Sequence, residues 1–418
     1  MRAAAVIALL STGGALLSSQ ARPLVAPAAA AIYQQLLPEI ARIRIFDHHA
    51  HPAWADDPDV DAAPPPPGAS PLRFREGNPE FAIAAKTFAG LTRDRSGPAF
   101  FSAALDRLGI ETSMANRVAM ADYLDPARFK WVFFVDCFMF PFDNSALAAR
   151  NPDEAAYMPA QEKVLQRYRQ RVGALQPMPT LDAYLSFVTR ALEDAQRRGG
   201  VAVKFEAAYF RSLQFDDPPR DRAASVYAKY AAGGVPSAAE YKDFQDFVFR
   251  HLVAESGRLR LPVHIHTSAG AGDYFMLRNV HVLNLENVVK DPRYTSTTFV
   301  LIHGGYPADR EAIWLTSVKN VYLDSSATGM LAYPTEFKDI LKRWLETFPD
   351  KITFGTDAFP YSEKIGAEAV YWIGVQSGRS ALAAALAEMI AAREITHAQA
   401  LSMARAFLHD TAAGLYRR

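Results

Sequence analysis

Residues 45–51 read IFDHHAH, an apolar start followed by closely spaced histidines. Three further apolar runs end in a similar way: PVHIHT at 262–267, FVLIHGG at 299–305 and ITFGTD at 352–357. Each run has the length and composition of a buried strand. Imidazole and carboxylate groups are good ligands for zinc-like ions. The sequence therefore predicts buried strands whose ends carry a metal site.

Apolar runs bounded by turn residues alternate with helical patterns from residue 43 onward. This alternation is typical of βαβ units and a parallel sheet. We predict an α/β fold, a (β/α)8 TIM barrel formed by residues 29–418 as one domain. The eight predicted strands are 43–49, 112–119, 131–138, 201–206, 262–267, 298–303, 321–325 and 352–356.

Helix signals support this order before strands 4 and 5. Thr180 is predicted to cap the helix at 180–198, and Ser237 with Glu240 forms the pattern of a capping box. Each of these helices leads directly into the next predicted strand.

Two long insertions interrupt the barrel pattern, after strands 1 and 3. The first covers residues 52–108 and contains four consecutive prolines at 64–67; the second covers 139–179. An insertion at the C-terminal end of a barrel strand is a suitable place for a lid over the site. For 52–108 we expect either such a lid-like segment or a surface loop without a role.

Composition limits the class of protein. Lys plus Arg and Asp plus Glu are both 45 among 418 residues, so no excess positive charge favours nucleic acid. Half of the residues are apolar or aromatic, which is enough for a large core. Cys137 is the single cysteine, so a metal must be held by nitrogen and oxygen ligands.

The N-terminus predicts an export signal over residues 1–28. An apolar, Ala-rich run follows Arg2, and the small residues at 26–28 resemble a cleavage site. We expect a periplasmic or secreted protein with no stable membrane insertion once the signal is removed, because the run is short and interrupted by Ser and Gly. An Ala-rich tail or an uncleaved anchor is the alternative.

His49 and His51 alternate along the first strand, so both rings can bind one ion. Asp47, one step earlier on the same face, is expected to orient a ring by accepting an N–H bond. His48 points the other way and is interpreted as structural.

The later strands supply further candidates. His266 lies nearer the C-terminal end of its strand than His264, and is the predicted ligand. His264 is expected either to form a hydrogen bond inside the barrel or to reach toward metal or substrate. His303 is a candidate ligand or transition-state stabiliser, and the glycines after it allow a sharp turn. Asp357 can contact the metal and accept a proton from water.

Lys204 places a charge inside an apolar strand, where an unpaired ammonium is unfavourable. Two outcomes stay open: carboxylation to a carbamate that bridges two metals, or pairing with Asp357 or an anionic substrate. Beyond it, Tyr209 and Arg211 are candidates for substrate binding, and Arg211 suits a carboxylate. A surface ion pair is the alternative for Arg211.

The ordered set His49, His51, Lys204, His266, His303 and Asp357 resembles the amidohydrolase superfamily of metal-dependent (β/α)8 barrels. The stretches KFEAAYFRSL at 204–213, LPVHIHTSAGAGD at 261–273, LIHGGYPADR at 301–310 and FGTDAFP at 354–360 are similar to the amidohydrolase-like part of proteins fused to glutamine synthetase. His264 stands where close relatives are expected to have Gln.

The resemblance implies one or two divalent ions, Zn first and Mn second. Its expected ligands are His49, His51, His266 and Asp357, joined by Lys204 and His303 in members with two ions. Asp357 is the implied proton shuttle.

The predicted activity is hydrolysis of an amide or related ester bond by metal-activated water, on a small and carboxylate-bearing substrate. A single-metal decarboxylase on the same barrel is the first alternative, and an inactive binding protein the second. A homo-oligomer is left open.

Overall fold

The computed structural model describes residues 23–63, 71–74, 77–268, 270–362 and 364–416. Most of the predicted export signal (1–22) and the proline run at 64–67 lie outside these ranges. In the described residues, eight strands pair in sequence order and every pairing is parallel. They are β1 Ile45–Ala50, β2 Ile110–Asn116, β3 Phe129–Phe134, β4 Gly200–Phe205, β5 Val263–His266, β6 Phe299–Ile302, β7 Val321–Asp324 and β8 Ile352–Thr353.

The sheet closes between β8 and β1. The His48 N–H donates to the carbonyl of Phe354 (2.9 Å), and the Asp357 N–H donates to the carbonyl of His49 (2.7 Å). A parallel bridge joins Ala50 to Ala358 just beyond. The predicted (β/α)8 TIM barrel is confirmed.

Helices surround this barrel, as the alternating pattern predicts. The α-helices are α1 Ala30–Ala41, α2 Pro79–Thr87, α3 Ala99–Leu108, α4 Ser145–Ala148, α5 Pro152–Arg171, α6 Leu181–Arg197, α7 Ala207–Phe210, α8 Arg220–Tyr230, α9 Ala238–Leu259, α10 Glu286–Val289, α11 Asp309–Leu315, α12 Thr328–Leu331, α13 Pro334–Thr347, α14 Ala367–Ala391, α15 His397–Arg405 and α16 Thr411–Leu415. Short 3-10 turns include Leu72–Phe74, Asp136–Met139 and His303–Gly305, and a π-helical turn at 406–410 joins α15 to α16.

The predicted helix caps are present. Thr180 accepts the Ala183 N–H at the start of α6. Ser237 and Glu240 form a reciprocal capping box at the start of α9. These caps satisfy backbone N–H groups that the first helical turn leaves free.

Three predicted strands run at least three residues too far, and the first is β2, which ends at Asn116 rather than 119. β3 ends at Phe134, and Asp136–Met139 continues as a 3-10 turn. β8 keeps only its first two predicted residues, because the Thr356 N–H donates to the Asp47 carboxylate (2.7 Å) rather than to a neighbouring strand.

The long connections after β1 and β3 are both present, but the first is shorter than the predicted 52–108. Its last part is α3, which packs against β2 and α14 as an ordinary barrel helix. Arg73, buried in the middle of this connection, donates to Glu80, Ser377 and the carbonyls of Gly329 and Ala332. These hydrogen bonds hold the segment against the helices of the barrel. Its role as a lid stays a prediction.

The C-terminal segment fills the deep layer of the barrel interior. Phe46 lies there with Met114, Val132 and Ala202, and the ring of Tyr416 stacks on Phe46 at 5.9 Å. None of the helices in the described ranges is long and apolar enough to cross a membrane.

Gly304 shows how tightly the turn after β6 is packed. Its φ of +57° lies in the left-handed region, and a Cβ there would lie 2.2 Å from Cη2 of the buried Trp344. The predicted sharp turn after His303 is confirmed, and it needs glycine for both reasons.

Gly304→Ala is expected to lower the free energy of unfolding by about 2–5 kcal/mol, from left-handed strain plus overpacking. Urea unfolding measures the change. Gly414→Ala is the matched control, because that glycine has ordinary φ and open space around it. Equal stability of the two variants would contradict the expectation.

Candidate metal centre

Ligand groups meet at the C-terminal ends of β1, β6 and β8. His49, His303 and Asp357 each place one ligand atom within 4.8 Å of the others. His49 Nε2 is 3.3 Å from Asp357 Oδ1, and His51 Nε2 is 3.8 Å from the same oxygen. Ligands bound at about 2.0–2.2 Å to a tetrahedral ion lie about 3.3–3.6 Å apart, so this spacing fits one divalent ion.

The other two predicted ligands border the same group. The His266 ring centroid is 4.6 Å from that of His303, and Lys204 Nζ is 3.4 Å from His49 Nε2. The structure thus brings all six candidate residues together, although their action as ligands remains a prediction.

The protonation states suit metal binding. Burial, first of all, lowers the pKa of His49 and His303 well below normal, that of His51 to about 4 and that of His266 to about 3. The four rings are therefore neutral at pH 7, as ligands must be. Burial raises the pKa of Asp357 to about 7, and a bound cation would lower it again.

His303 and Asp357 both have left-handed backbone conformations, with φ of 67° and 55°. Such conformations are unfavourable for residues other than glycine and are often found at functional sites. Here both residues lie just after a strand, at the point where the backbone turns and the side chain faces the cluster.

A chain of hydrogen bonds runs from His303 into the barrel. His303 Nδ1 is 2.8 Å from Ser326 Oγ, and Ser326 also donates to Asp324. Asp324 Oδ2 is 3.1 Å from His48 Nδ1, and His48 Nε2 is 2.7 Å from the Tyr416 hydroxyl. Partners of this kind fix the orientation of a metal-binding ring.

His264 faces the deep layer of the barrel. Its Nε2 is 2.5 Å from the same Tyr416 hydroxyl, and its ring is 4.7 Å from that of His48. This geometry favours the interior hydrogen-bonded role over substrate binding for His264, and it agrees with a structural role for His48.

Tyr416→Phe is expected to destabilise the fold by about 2 kcal/mol, because two buried histidine nitrogens lose their partner. Urea unfolding tests it, with Tyr274→Phe as control because Tyr274 is half exposed. Unchanged stability of Tyr416→Phe would show that the hydroxyl contributes nothing.

The expected role of Asp47 is wrong. Its carboxylate accepts hydrogen bonds from Ser113 and Thr356 and meets no ligand ring in the described residues. Asp61, from the connection after β1, lies in the place expected for Asp47, with Oδ2 3.3 Å from His51 Nδ1.

Of the predicted substrate-binding residues, Tyr209 is better placed than Arg211. Its ring lies 4.9 Å from that of His266 and lines a cavity of about 300 Å³ on the C-terminal side of the barrel. Arg211 lines the same cavity, but its guanidinium already pairs with Asp246 and Gln245. A substrate carboxylate would have to displace Asp246. The alternative prediction for Arg211, an ion pair, therefore fits better, although the pair is buried and not at the surface.

Sequence reasoning missed several neighbours of the centre. Glu206 alternates with Lys204 at the end of β4, so its shared face was readable from the sequence. Asp324 likewise carries a charge in an apolar predicted strand, so its burial was readable from the sequence. Asp61 and Tyr416 carry no comparable signal, because a long connection and the C-terminal segment bring them in.

Residues 231–418 match the amidohydrolase family model, and this region carries His266, His303 and Asp357 in the positions described above. Protein fluG of Emericella nidulans is 25% identical over 210 residues, which cover 48% of this chain and 23% of fluG. The chain thus matches less than a quarter of the length of that relative.

Two solved structures are similar over most of their length. A Lactobacillus casei ATCC 334 protein assigned as a metal-dependent hydrolase has a TM-score of 0.67 and 17% identity, over 91% of this chain and 97% of that one. Uronate isomerase of Thermotoga maritima has a TM-score of 0.60 and 13% identity, over 94% and 98%. At these identities the likeness concerns the fold alone.

Proposed function

We propose that this protein is a metal-dependent hydrolase that cleaves an amide or related ester bond of a small substrate. The observation that carries the proposal is the convergence of His49, His303 and Asp357 at the C-terminal face of the barrel. TIM-barrel enzymes place their active sites at this face. The neutral rings and the ligand spacing support a divalent ion, Zn first and Mn second.

His49, His51, His266 and Asp357 would hold the ion, with Lys204 and His303 added for a second one. When bound, such an ion lowers the pKa of water from about 15.7 toward about 7 and polarises a carbonyl oxygen. Lys204 is buried, and in the described residues no carboxylate oxygen lies within 4.0 Å of Nζ. A buried ammonium without an anion is unfavourable, which favours carboxylation of Lys204 over an ion pair.

Asp357 is proposed to move the proton. It accepts a proton from the attacking water and returns it to the leaving amine or alcohol. Burial holds its side chain beside His49 and His51, yet about 13% remains exposed to solvent or substrate. His303 and Tyr209 lie on the same side of the barrel and are proposed to orient the polarised carbonyl.

The expected partners of a substrate carboxylate were Tyr209, Arg211 and His303, and Arg211 is the one that suits bidentate binding. Since Arg211 is paired with Asp246, we do not include a carboxylate in the proposed substrate. The cavity beside Tyr209 supports a small molecule with an apolar part, because Phe275 and Tyr157 also line it.

Product analysis of the metal-loaded protein tests the reaction type. Incubation with a panel of uncharged N-acyl amines and carboxylic esters, and of aromatic and enoic acids for the decarboxylase alternative, is carried out in ¹⁸O-labelled water. Hydrolysis of an amide or ester is expected to give ¹⁸O in the acid product. Release of carbon dioxide from an acid, with no ¹⁸O-labelled acid formed from an amide or ester, would favour the decarboxylase. Binding of metal and panel compounds with no turnover would favour the inactive binding protein.

Export is proposed separately, from residues 1–28 alone. Expression with and without this segment, followed by fractionation, should place only the longer form outside the cytoplasm. Recovery of both forms in the cytoplasm would contradict it.

A further inference from the structure

A second group of ligand atoms lies beside the metal centre. His51, Asp61 and Glu206 each offer one atom, and these atoms lie within 4.8 Å of one another. His51 also belongs to the centre described above, whereas Asp61 and Glu206 are not among its predicted ligands.

Two of the three residues are buried and have an atom without a partner in the described ranges, whereas the Asp61 side chain is 23% exposed and its Oδ1 accepts the Ala63 N–H. Glu206 is 3% exposed, and its Oε2 has no hydrogen-bond partner in the described ranges. His51 Nδ1 is likewise buried without a hydrogen bond to any described residue; Asp61 Oδ2 is 3.3 Å away but not aligned for one. Buried polar atoms are normally satisfied, so these atoms point to a ligand between them.

The charges point the same way. Within the described part of the chain, no Lys or Arg nitrogen lies within 4.0 Å of Asp61 or Glu206. A third carboxylate adds to them: Asp136 is fully buried, and its Oδ2 accepts the Glu206 N–H at 2.8 Å. Burial raises the pKa of both Glu206 and Asp136 and outweighs the positive charge of Lys204, which acts to lower both. In the described residues, Lys204 Nζ forms no ion pair with either within 4.0 Å. Buried carboxylates without a cation are costly, and a divalent cation would neutralise them.

We propose that Asp61, Glu206 and Nδ1 of His51 bind a second divalent cation, of the zinc or manganese type. The proposal rests on the proposed function because the His51 ring is shared with the first centre. Nε2 of His51 lies on the Asp357 side at 3.8 Å, and Nδ1 lies on the Asp61 side. With both sites filled, the ring bridges them as an imidazolate, and its N–H proton passes to solvent water. One nitrogen and two carboxylates suit Zn²⁺ or Mn²⁺.

This arrangement differs measurably from two metals bridged by a carboxylated Lys204. Two-metal sites with such a shared ligand have metals about 3.5–4 Å apart. An imidazolate bridge with bonds of about 2.1 Å at each nitrogen separates the two ions by about 6 Å.

Anomalous diffraction from full-length protein crystals soaked in Zn²⁺ locates each ion directly. We expect a peak bonded to Asp61 and Glu206, about 6 Å from the peak at His49 and Asp357. Elemental analysis of Zn²⁺-loaded, desalted protein supplies the stoichiometry. Glu206→Gln and Asp61→Asn are each expected to lose one equivalent of zinc and only the peak at the new site.

Glu154→Gln is the matched control. Glu154 is also buried, and its Oε2 also lacks a partner in the described residues, but it lies in the cavity wall outside the triad. This variant is expected to keep every equivalent of zinc.

The outcomes separate the two proposals. A peak at His49 and Asp357 with none at Asp61 and Glu206 overturns the second site and leaves the proposed function standing. The absence of the first peak overturns the metal centre of the proposed function. Glu206→Gln and Asp61→Asn that both retain every equivalent of zinc also overturn the second site.

Discussion

Asp357→Asn is expected to lower kcat by about 10²–10⁴-fold while metal stays bound. The amide keeps a carbonyl oxygen that can face the ion beside His49, but it cannot accept a proton at neutral pH. General acid and base groups contribute factors of this size. Steady-state kinetics on the compound that the product analysis identifies, together with zinc content, measure both parts.

Asp309→Asn is the control for that variant. Asp309 is also a buried carboxylate, but its side chain pairs with Arg343, which is not a member of the ligand set. Its kcat is expected to stay within about twofold of that of the parent protein. The substitution removes one negative charge but leaves every member of the ligand set in place. A fully active Asp357→Asn would show that another group moves the proton.

Metal removal is expected to produce the largest change in stability. A ligand that binds only the folded state at 1,000 times its Kd stabilises that state by about 4 kcal/mol. Chelation should therefore lower the unfolding temperature and abolish activity, and Zn²⁺ should restore both. Differential scanning calorimetry in the presence and absence of Zn²⁺ measures the shift.

His49→Ala tests whether this stabilisation comes from the proposed centre. Losing a ring that lies 3.3 Å from Asp357 should remove most of the Zn²⁺-induced shift. His48→Ala is the neighbouring control: its ring binds Asp324 and Tyr416, so the variant should unfold earlier yet keep a shift on adding Zn²⁺. A full Zn²⁺ response in His49→Ala would exclude His49 as a ligand.

The metal-site residues could be predicted because they follow apolar strands. In a parallel barrel the C-terminal strand ends meet at one face, so His49, His266, His303 and Asp357 had to lie near one another once the eight strands were recognised. The helix caps at Thr180 and Ser237 were equally local, since they depend on residues three positions apart.

The partners of these residues were not predictable in the same way. Asp47 was expected to orient a histidine because strand alternation places it on the same face. The pairing register of β1 with β2 shifts between Asp47 and Ala50. The Asp47 carboxylate instead accepts hydrogen bonds from Ser113 and Thr356. Arg211 was expected to bind a substrate, but its guanidinium donates a hydrogen bond to Asp246, which lies thirty-five positions later in the chain.

The sequence by itself determined the barrel and the ligand types, because strand periodicity and residue chemistry are local properties. Only the tertiary structure decided which carboxylates surround the ligands. Asp61 enters from a long connection and Tyr416 from the C-terminal segment, and both positions depend on packing between distant parts of the chain. IFDHHAH thus predicts a site for metal, and the fold adds the acidic neighbours that suggest a second cation.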